Sequence, residues 1–149
     1  MSEGVTERLV LDTSLSLAWF FADEANPYAD AVAQSLAAAE AIVPSLWPLE
    51  VANALIVGER RKRSSEAQAT AFIARLRTLP IVVDDETESR AWGDTMSLAR
   101  VHNLSAYDAA YLELAMRRGL SLASLDEKLK AAAAAVGVGL YVPKTDGND

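Results

Sequence analysis

Four carboxylates in this 149-residue chain stand where short apolar runs give way to helical ones: Asp12 closing "RLVLD", Glu50 in "PLEVANAL", Asp108 in "LSAYDAAY" and Asp126 in "LASLDEKL". Four acids gathered in one pocket would repel one another and be driven toward protonation unless a divalent cation balanced them. A hard ion such as Mg²⁺ suits this donor set. It takes oxygen ligands, is usually held by one or two direct carboxylates with waters completing the octahedron, and works on phosphate oxygens. Such a site can activate water and neutralise charge on a phosphodiester without histidine or cysteine. Each acid also has an ordinary structural reading: Asp12 as a turn residue, Glu50 and Asp126 as first-turn helix acids, Asp108 as a capping-box carboxylate.

The acids converge only if the elements around them are arranged correctly. Short Val/Ile/Leu-rich runs alternate with helical stretches, the pattern of an α/β protein with a mainly parallel sheet. We expect one domain over residues 1–149 with a loose polar tail, "KTDGND", from 144 to 149. Five strands are expected, at 8–12, 41–44, 80–83, 120–124 and 139–142. Asn26 before Pro27 starts a helix expected to reach about Glu40, and Pro48 starts another whose apolar face holds Val51, Ala54 and Leu55. Capping boxes are expected at Ser65/Gln68, Ser105/Asp108 and Ser124/Glu127. The helix "ETESRAWGDTMSLARVH" stops near Asn103, and others end at Gly119 and Gly137.

Ligand sites of open α/β sheets lie beyond the carboxyl ends of the strands. In a parallel sheet Asp12, Glu50 and Asp126 share that edge. Asp108 joins them only if its helix begins there, which requires the preceding helix to fold back.

The totals narrow the alternatives. No cysteine is present, so neither a disulfide framework nor a thiolate metal centre is available, and the lone His102 rules out a two-histidine acid/base ribonuclease. The early acids and the lack of a long apolar run lead us to expect a cytoplasmic chain with no membrane contact. A net charge of -7 opposes nonspecific nucleic-acid binding, so such an enzyme would need a metal ion or a local basic patch. The run "ERRKR" (59–63) is either such a patch or a solvated helix end. His102 reads as a helix end, and Trp19, Phe20 and Phe21 as packing residues. Asp84, Asp85 and Glu86 follow a strand and rival the quartet for a metal.

The segments "LVLDTSLSLAWFFADE", "PSLWPLEVANAL" and "LSAYDAAYLELAMRRGLSLASLDEKL" together resemble the PIN-domain ribonucleases, and particularly the VapC-type toxins of bacterial toxin-antitoxin pairs. The resemblance spans nearly the whole chain in order. It implies a PIN-like three-layer α/β/α sandwich in which the "YDAAY" helix begins at the acidic edge. It also implies Mg²⁺ or Mn²⁺ dependence, RNA as substrate, a cognate antitoxin as inhibitor and a homodimer. The family's acidic quartet falls on Asp12, Glu50, Asp108 and Asp126. Asp12 and Asp108 are expected as direct ligands, Glu50 and Asp126 as groups acting through water, and Thr13, Ser14, Asn53 and Ser124 as their support.

Two other readings remain at this point. A phosphoacceptor receiver-like signalling domain would use Asp12, Asp84 or Asp85, Ser124 and Lys144, but leaves Glu50 and Asp108 without a role. A catalytically idle PIN-like binding module would keep the fold without the chemistry.

Overall fold

The computed structural model describes residues 6–143. The tail expected from 144 to 149, with Lys144, lies outside them. The chain runs β1 (Glu7–Leu11), α1 (Thr13–Ala18), α2 (Pro27–Ser35), β2 (Ala39–Val43), α3 (Trp47–Arg60), α4 (Glu66–Leu76), β3 (Ile81–Val83), α5 (Thr87–Arg90), α6 (Met96–His102), α7 (Ala106–Arg118), β4 (Ser121–Ala123) and α8 (Glu127–Ala135). A π-helical turn, Ala91–Thr95, joins α5 to α6 around Gly93, the poorest helix former of that segment.

The sheet is parallel throughout, in the order β3-β2-β1-β4. Successive side chains on a strand point to opposite faces. Leu9, Val10 and Leu11 are all fully buried, as are Ala41, Ile42 and Val43 to within 1%, so helices cover both faces of the central strands. The result is the expected α/β/α sandwich. Val82 and Val83 are 42% and 46% exposed because β3 lies at the edge.

Among the described residues four strands form rather than five. The segment expected as the fifth makes a single bridge, Leu122 to Leu140, with the Leu122 N–H on the Gly139 carbonyl (2.9 Å) and the Tyr141 N–H on the Leu122 carbonyl (2.8 Å). The next rung would need an N–H from residue 143, which is proline, and the Tyr141 carbonyl, which accepts the Tyr28 hydroxyl at 2.6 Å. A second difference concerns α2, which ends at Ser35, not near Glu40. Ala39 and Glu40 are drawn into β2 opposite Glu7 and Arg8, and the ladder overrides the helical propensity of "AAAEA".

Other local signals hold. Asn26 Oδ1 caps α2 through the Tyr28 and Ala29 N–H groups, and Ser65 with Gln68 closes both halves of a capping box on α4. Asn103 (φ 54) and Gly119 (φ 65) take the left-handed conformation that ends α6 and α7.

Helix α7 is buried at every position from Ala109 to Ala115, so it packs on all sides. It lies on β1 and β4, with α8, the π turn and α6 around it. The excursion from β3 runs back along α7: Glu86 at its start meets Arg117 near the end of α7, and its far end turns at Asn103 into the first residues of α7. That return supplies the fold-back that Asp108 required.

Trp19, Phe20 and Phe21 pack as expected. Trp19 Nε1 donates to the Ala29 carbonyl (2.7 Å), and Phe20 lies against Phe21 and Phe72 at 4.8 and 4.9 Å between ring centres. Phe21 in turn presses on α3 at Gly58, where an added Cβ would stand 2.9 Å from the ring. Gly58→Val should therefore cost about 1–3 kcal/mol through overpacking, read by urea denaturation.

Candidate active site

Asp12 ends β1 and caps α1, so its turn role and its place at the strand end are one arrangement. Its carboxylate is 4% exposed. Oδ1 accepts the Leu15 N–H (3.0 Å) and the Ser14 hydroxyl (2.8 Å), and Oδ2 accepts the Ser124 hydroxyl (2.5 Å). Burial pushes its pKa up to about 6 despite those three donors, and the neighbouring Asp126 adds to the rise.

Ser124 was expected to cap the last helix, and it does not. Its hydroxyl is spent on Asp12 while accepting the Asp126 N–H at 3.0 Å, so Asp126 becomes the N-cap of α8 and takes the Leu129 N–H at 2.9 Å. The β4–α8 turn thus presents Asp126 beside Asp12. Ser14 ties the same turn from the other side by accepting the Leu125 N–H at 3.1 Å.

Glu50 stands in the first turn of α3. That helix is fastened to α1 through Trp47, whose Nε1 donates to Ser16 Oγ (3.0 Å), and the Ser16 hydroxyl donates to the Asp12 carbonyl (3.0 Å). Glu50 Oε1 accepts hydroxyls from Thr13 (2.7 Å) and Tyr111 (2.5 Å). Asp108, in the first turn of α7, is held only by its own N–H on Ser105 Oγ (3.0 Å); its carboxylate does not close the expected reciprocal box. Burial raises its pKa first, followed by the charges of Asp126 and Glu50. These couplings bring Asp108 into the electrostatic neighbourhood of the other acids.

Thr13, Ser14 and Ser124 therefore touch the carboxylates they were expected to support. Asn53 does not: it is exposed on the next turn of α3 and makes no hydrogen bond to the four acids. Tyr111 was not anticipated. Its spacing of three from Asp108, on one face of a helix, was the available signal.

Among the described residues, none of the four acids forms an ion pair with Lys or Arg. Glu50 Oε2 and Asp126 Oδ2 accept no hydrogen bond from any described residue, Asp12 Oδ2 accepts one, and Ser105 and Lys128 act on Asp108. An oxygen-only donor set without a direct ion pair fits a hard divalent cation. No three of the four bring their oxygens within 4.8 Å of one another, which suits Mg²⁺ held by one or two carboxylates through intervening water.

The three acids that do approach within 4.8 Å are the rivals Asp84, Asp85 and Glu86. Two of the three are already paired with arginine. Asp84 takes Arg117 in a bidentate pair (2.7 and 3.1 Å) with Arg118 at 3.4 Å, and Glu86 takes Arg90 at 2.7 Å. Arg117 holds the Asp84 carboxyl below its usual range, and Arg90 does the same for Glu86. Arg117 also binds the buried Glu113 (2.8 Å), so this cluster joins the end of β3 to α7.

A parallel sheet with this order, helices on both faces and acids at its carboxyl edge defines a class that the sequence comparison names. Residues 9–135 match the PIN domain family, and the chain belongs to it. It is similar to Ribonuclease VapC3 of Pyrobaculum aerophilum, 32% identical over 123 residues, which are 82% of this chain and 92% of that protein. Solved structures share the fold. PAE2754 from Pyrobaculum aerophilum aligns with a TM-score of 0.61 at 23% identity over 85% of this chain and 79% of its own. VapC20 of Mycobacterium tuberculosis, described as a sarcin-ricin loop cleaving toxin, aligns at 0.60 with 18% identity over 91% of this chain and 99% of its own. Family membership removes the receiver-like reading, as does the strand order, since receiver sheets run 2-1-3-4-5.

Two outcomes test this electrostatic picture. Arg117→Ala would leave the buried Glu113 without its cation and Asp84 with only Arg118, and should cost about 3–5 kcal/mol in urea denaturation, whereas the exposed Asp85→Asn should change little. For Asp12 the sign is opposite to the usual carboxylate. Its folded pKa of about 6 exceeds the unfolded value near 3.9, so its contribution is most favourable when protonated and is lost as pH rises. In EDTA the protein should lose on the order of 1 kcal/mol between pH 5 and 7.5 from this group, and Asp12→Asn should flatten that slope.

Proposed function

We propose that the protein is a divalent-metal-dependent endoribonuclease, the toxin of a toxin-antitoxin pair, with Asp12, Glu50, Asp108 and Asp126 as its reactive acids. The observation that carries this reading is the acidic edge itself, whose four acids form no ion pair with any described Lys or Arg, in a homologue of a VapC ribonuclease. Asp12 and Asp108 would hold Mg²⁺ or Mn²⁺ directly. When bound, the cation polarises a phosphate oxygen and lowers the pKa of coordinated water.

Every other requirement falls to the chain. Ser14, Ser124 and the Leu15 N–H fix Asp12 so that the unfilled lone pair of Oδ2 points the same way from one turnover to the next. Glu50 and Asp126 orient the attacking water and take up its proton. In-line attack on phosphorus breaks the bond to the 3' oxygen, leaving a 3'-hydroxyl and a 5'-phosphate. A chain of net charge -7 gains little affinity for RNA from its overall field, which makes the exposed Arg60, Arg61 and Lys62, at the end of α3 away from Glu50, a basic contact for RNA beyond the acidic edge. Arg63 is not available for it, being paired with Asp23 and Glu24 and stacked on Phe21.

Inhibition falls to a separate antitoxin chain, which would lay an extended or helical segment over the acidic edge and place an arginine against the carboxylates. The working unit is a homodimer, and the protein acts in the cytoplasm; no helix among the described residues is long and apolar enough to cross a membrane.

Purified protein with Mg²⁺ or Mn²⁺ should cut a structured RNA, and EDTA should stop it. Asp12→Ala and Asp108→Asn should each lower the rate by about a hundredfold or more, measured on a labelled RNA by gel. Cutting that survives both chelation and Asp12→Ala would place the activity elsewhere.

A further inference from the structure

Tyr111 is buried in the middle of α7 (1% exposed), where an ordinary core phenol would find a backbone carbonyl. Its hydroxyl instead reaches a carboxylate of the acidic edge, 61 residues away in sequence. Thr13, 98 residues from Tyr111, lies 2.7 Å from the same phenol oxygen and donates to the same Glu50 oxygen. Three elements, α1, α3 and α7, thus meet at one carboxylate oxygen.

Proton counting shows what this meeting does. The two hydroxyls carry one proton each for three short contacts, and either can donate in the Thr13–Tyr111 pair, so the protons are shared around the triangle. Oε1 is the acceptor within reach of both hydroxyls. Oε2 accepts no hydrogen bond from any described residue. A glutamate has three rotatable side-chain bonds, and a carboxylate anchored through one oxygen has lost most of that freedom.

We propose that Tyr111 is a positioning residue for the reaction: with Thr13 it grips Glu50 by one oxygen and leaves the other to orient the attacking water. This assignment rests on the nuclease reading above. It distinguishes Glu50 from Asp12, whose two oxygens are each engaged by groups of α1 and β4. Because Tyr111 lies three residues beyond Asp108 on the same helix face, α7 delivers a cation ligand and the clamp on its neighbour as a single rigid unit.

The test is a double-mutant cycle with two readouts. Tyr111→Phe removes one oxygen and should lower kcat about 10- to 100-fold with KM for RNA unchanged, and should weaken Mn²⁺ binding to the RNA-free protein by calorimetry about tenfold. On a Glu50→Ala background the effect on Mn²⁺ binding should vanish, because the carboxylate that the hydroxyl grips is then absent. Thr13→Val should act in the same direction, and Thr13→Ser, which keeps the hydroxyl, should restore the wild-type values. If Tyr111→Phe is silent, or costs as much Mn²⁺ affinity on the Glu50→Ala background as alone, the clamp is overturned while the nuclease reading stands. A wild-type chain that neither binds Mn²⁺ nor cuts RNA overturns both.

Discussion

A carboxylate that is 4% exposed, held by three neutral donors and paired with no cation, sits at the end of the central strand pair of this sheet. Desolvation of Asp12 outweighs those hydrogen bonds, which is why its pKa rises where most buried aspartates, paired with a base, fall. Much of the surrounding structure is arranged about that atom group. It caps α1, it draws Ser124 away from α8 and so hands the cap to Asp126, and its own carbonyl anchors the Ser16–Trp47 link that sets α3. Three of the loops at the carboxyl edge are therefore placed by hydrogen bonds that begin or end at one residue.

The two acidic clusters of the protein are opposite solutions to the same cost. Asp84 and Glu113 are buried and compensated within the chain by Arg117, and their role is to tie β3 to α7. The quartet forms no ion pair among the described residues; Asp126 adds to the raised pKa of Asp12, and Asp126 and Glu50 to that of Asp108. Proximity of carboxylates alone points to Asp84, Asp85 and Glu86, the closer set. Counter-charge separates them: an acid whose arginine is already present has no need of an ion.

Much of the fold was legible. The proline and asparagine start of α2, the Ser65 box and the left-handed stops at Asn103 and Gly119 depend on residues a few positions apart, whose preferences act locally. What was misread depended on distant partners. The fifth strand failed because Tyr28 had taken a carbonyl and Pro143 lacked an N–H; α2 stopped early because β1 claimed Ala39 and Glu40. Ser124 was assigned to the wrong partner because its nearest sequence neighbour, Glu127, lost to Asp12, 112 residues away.

The candidate site divides along the same line. By itself the sequence determined which acids stand at strand ends and helix starts, because strand polarity and capping are set within a few residues. It also carried the PIN family pattern. Only the tertiary structure decided that α5, the π turn and α6 fold back along α7 to bring Asp108 beside the others, that Asn53 faces solvent, and that Tyr111 and Thr13 close on Glu50. Those facts rest on helix packing and on hydrogen bonds between residues 37 to 98 positions apart, and no local preference encodes a contact of that range.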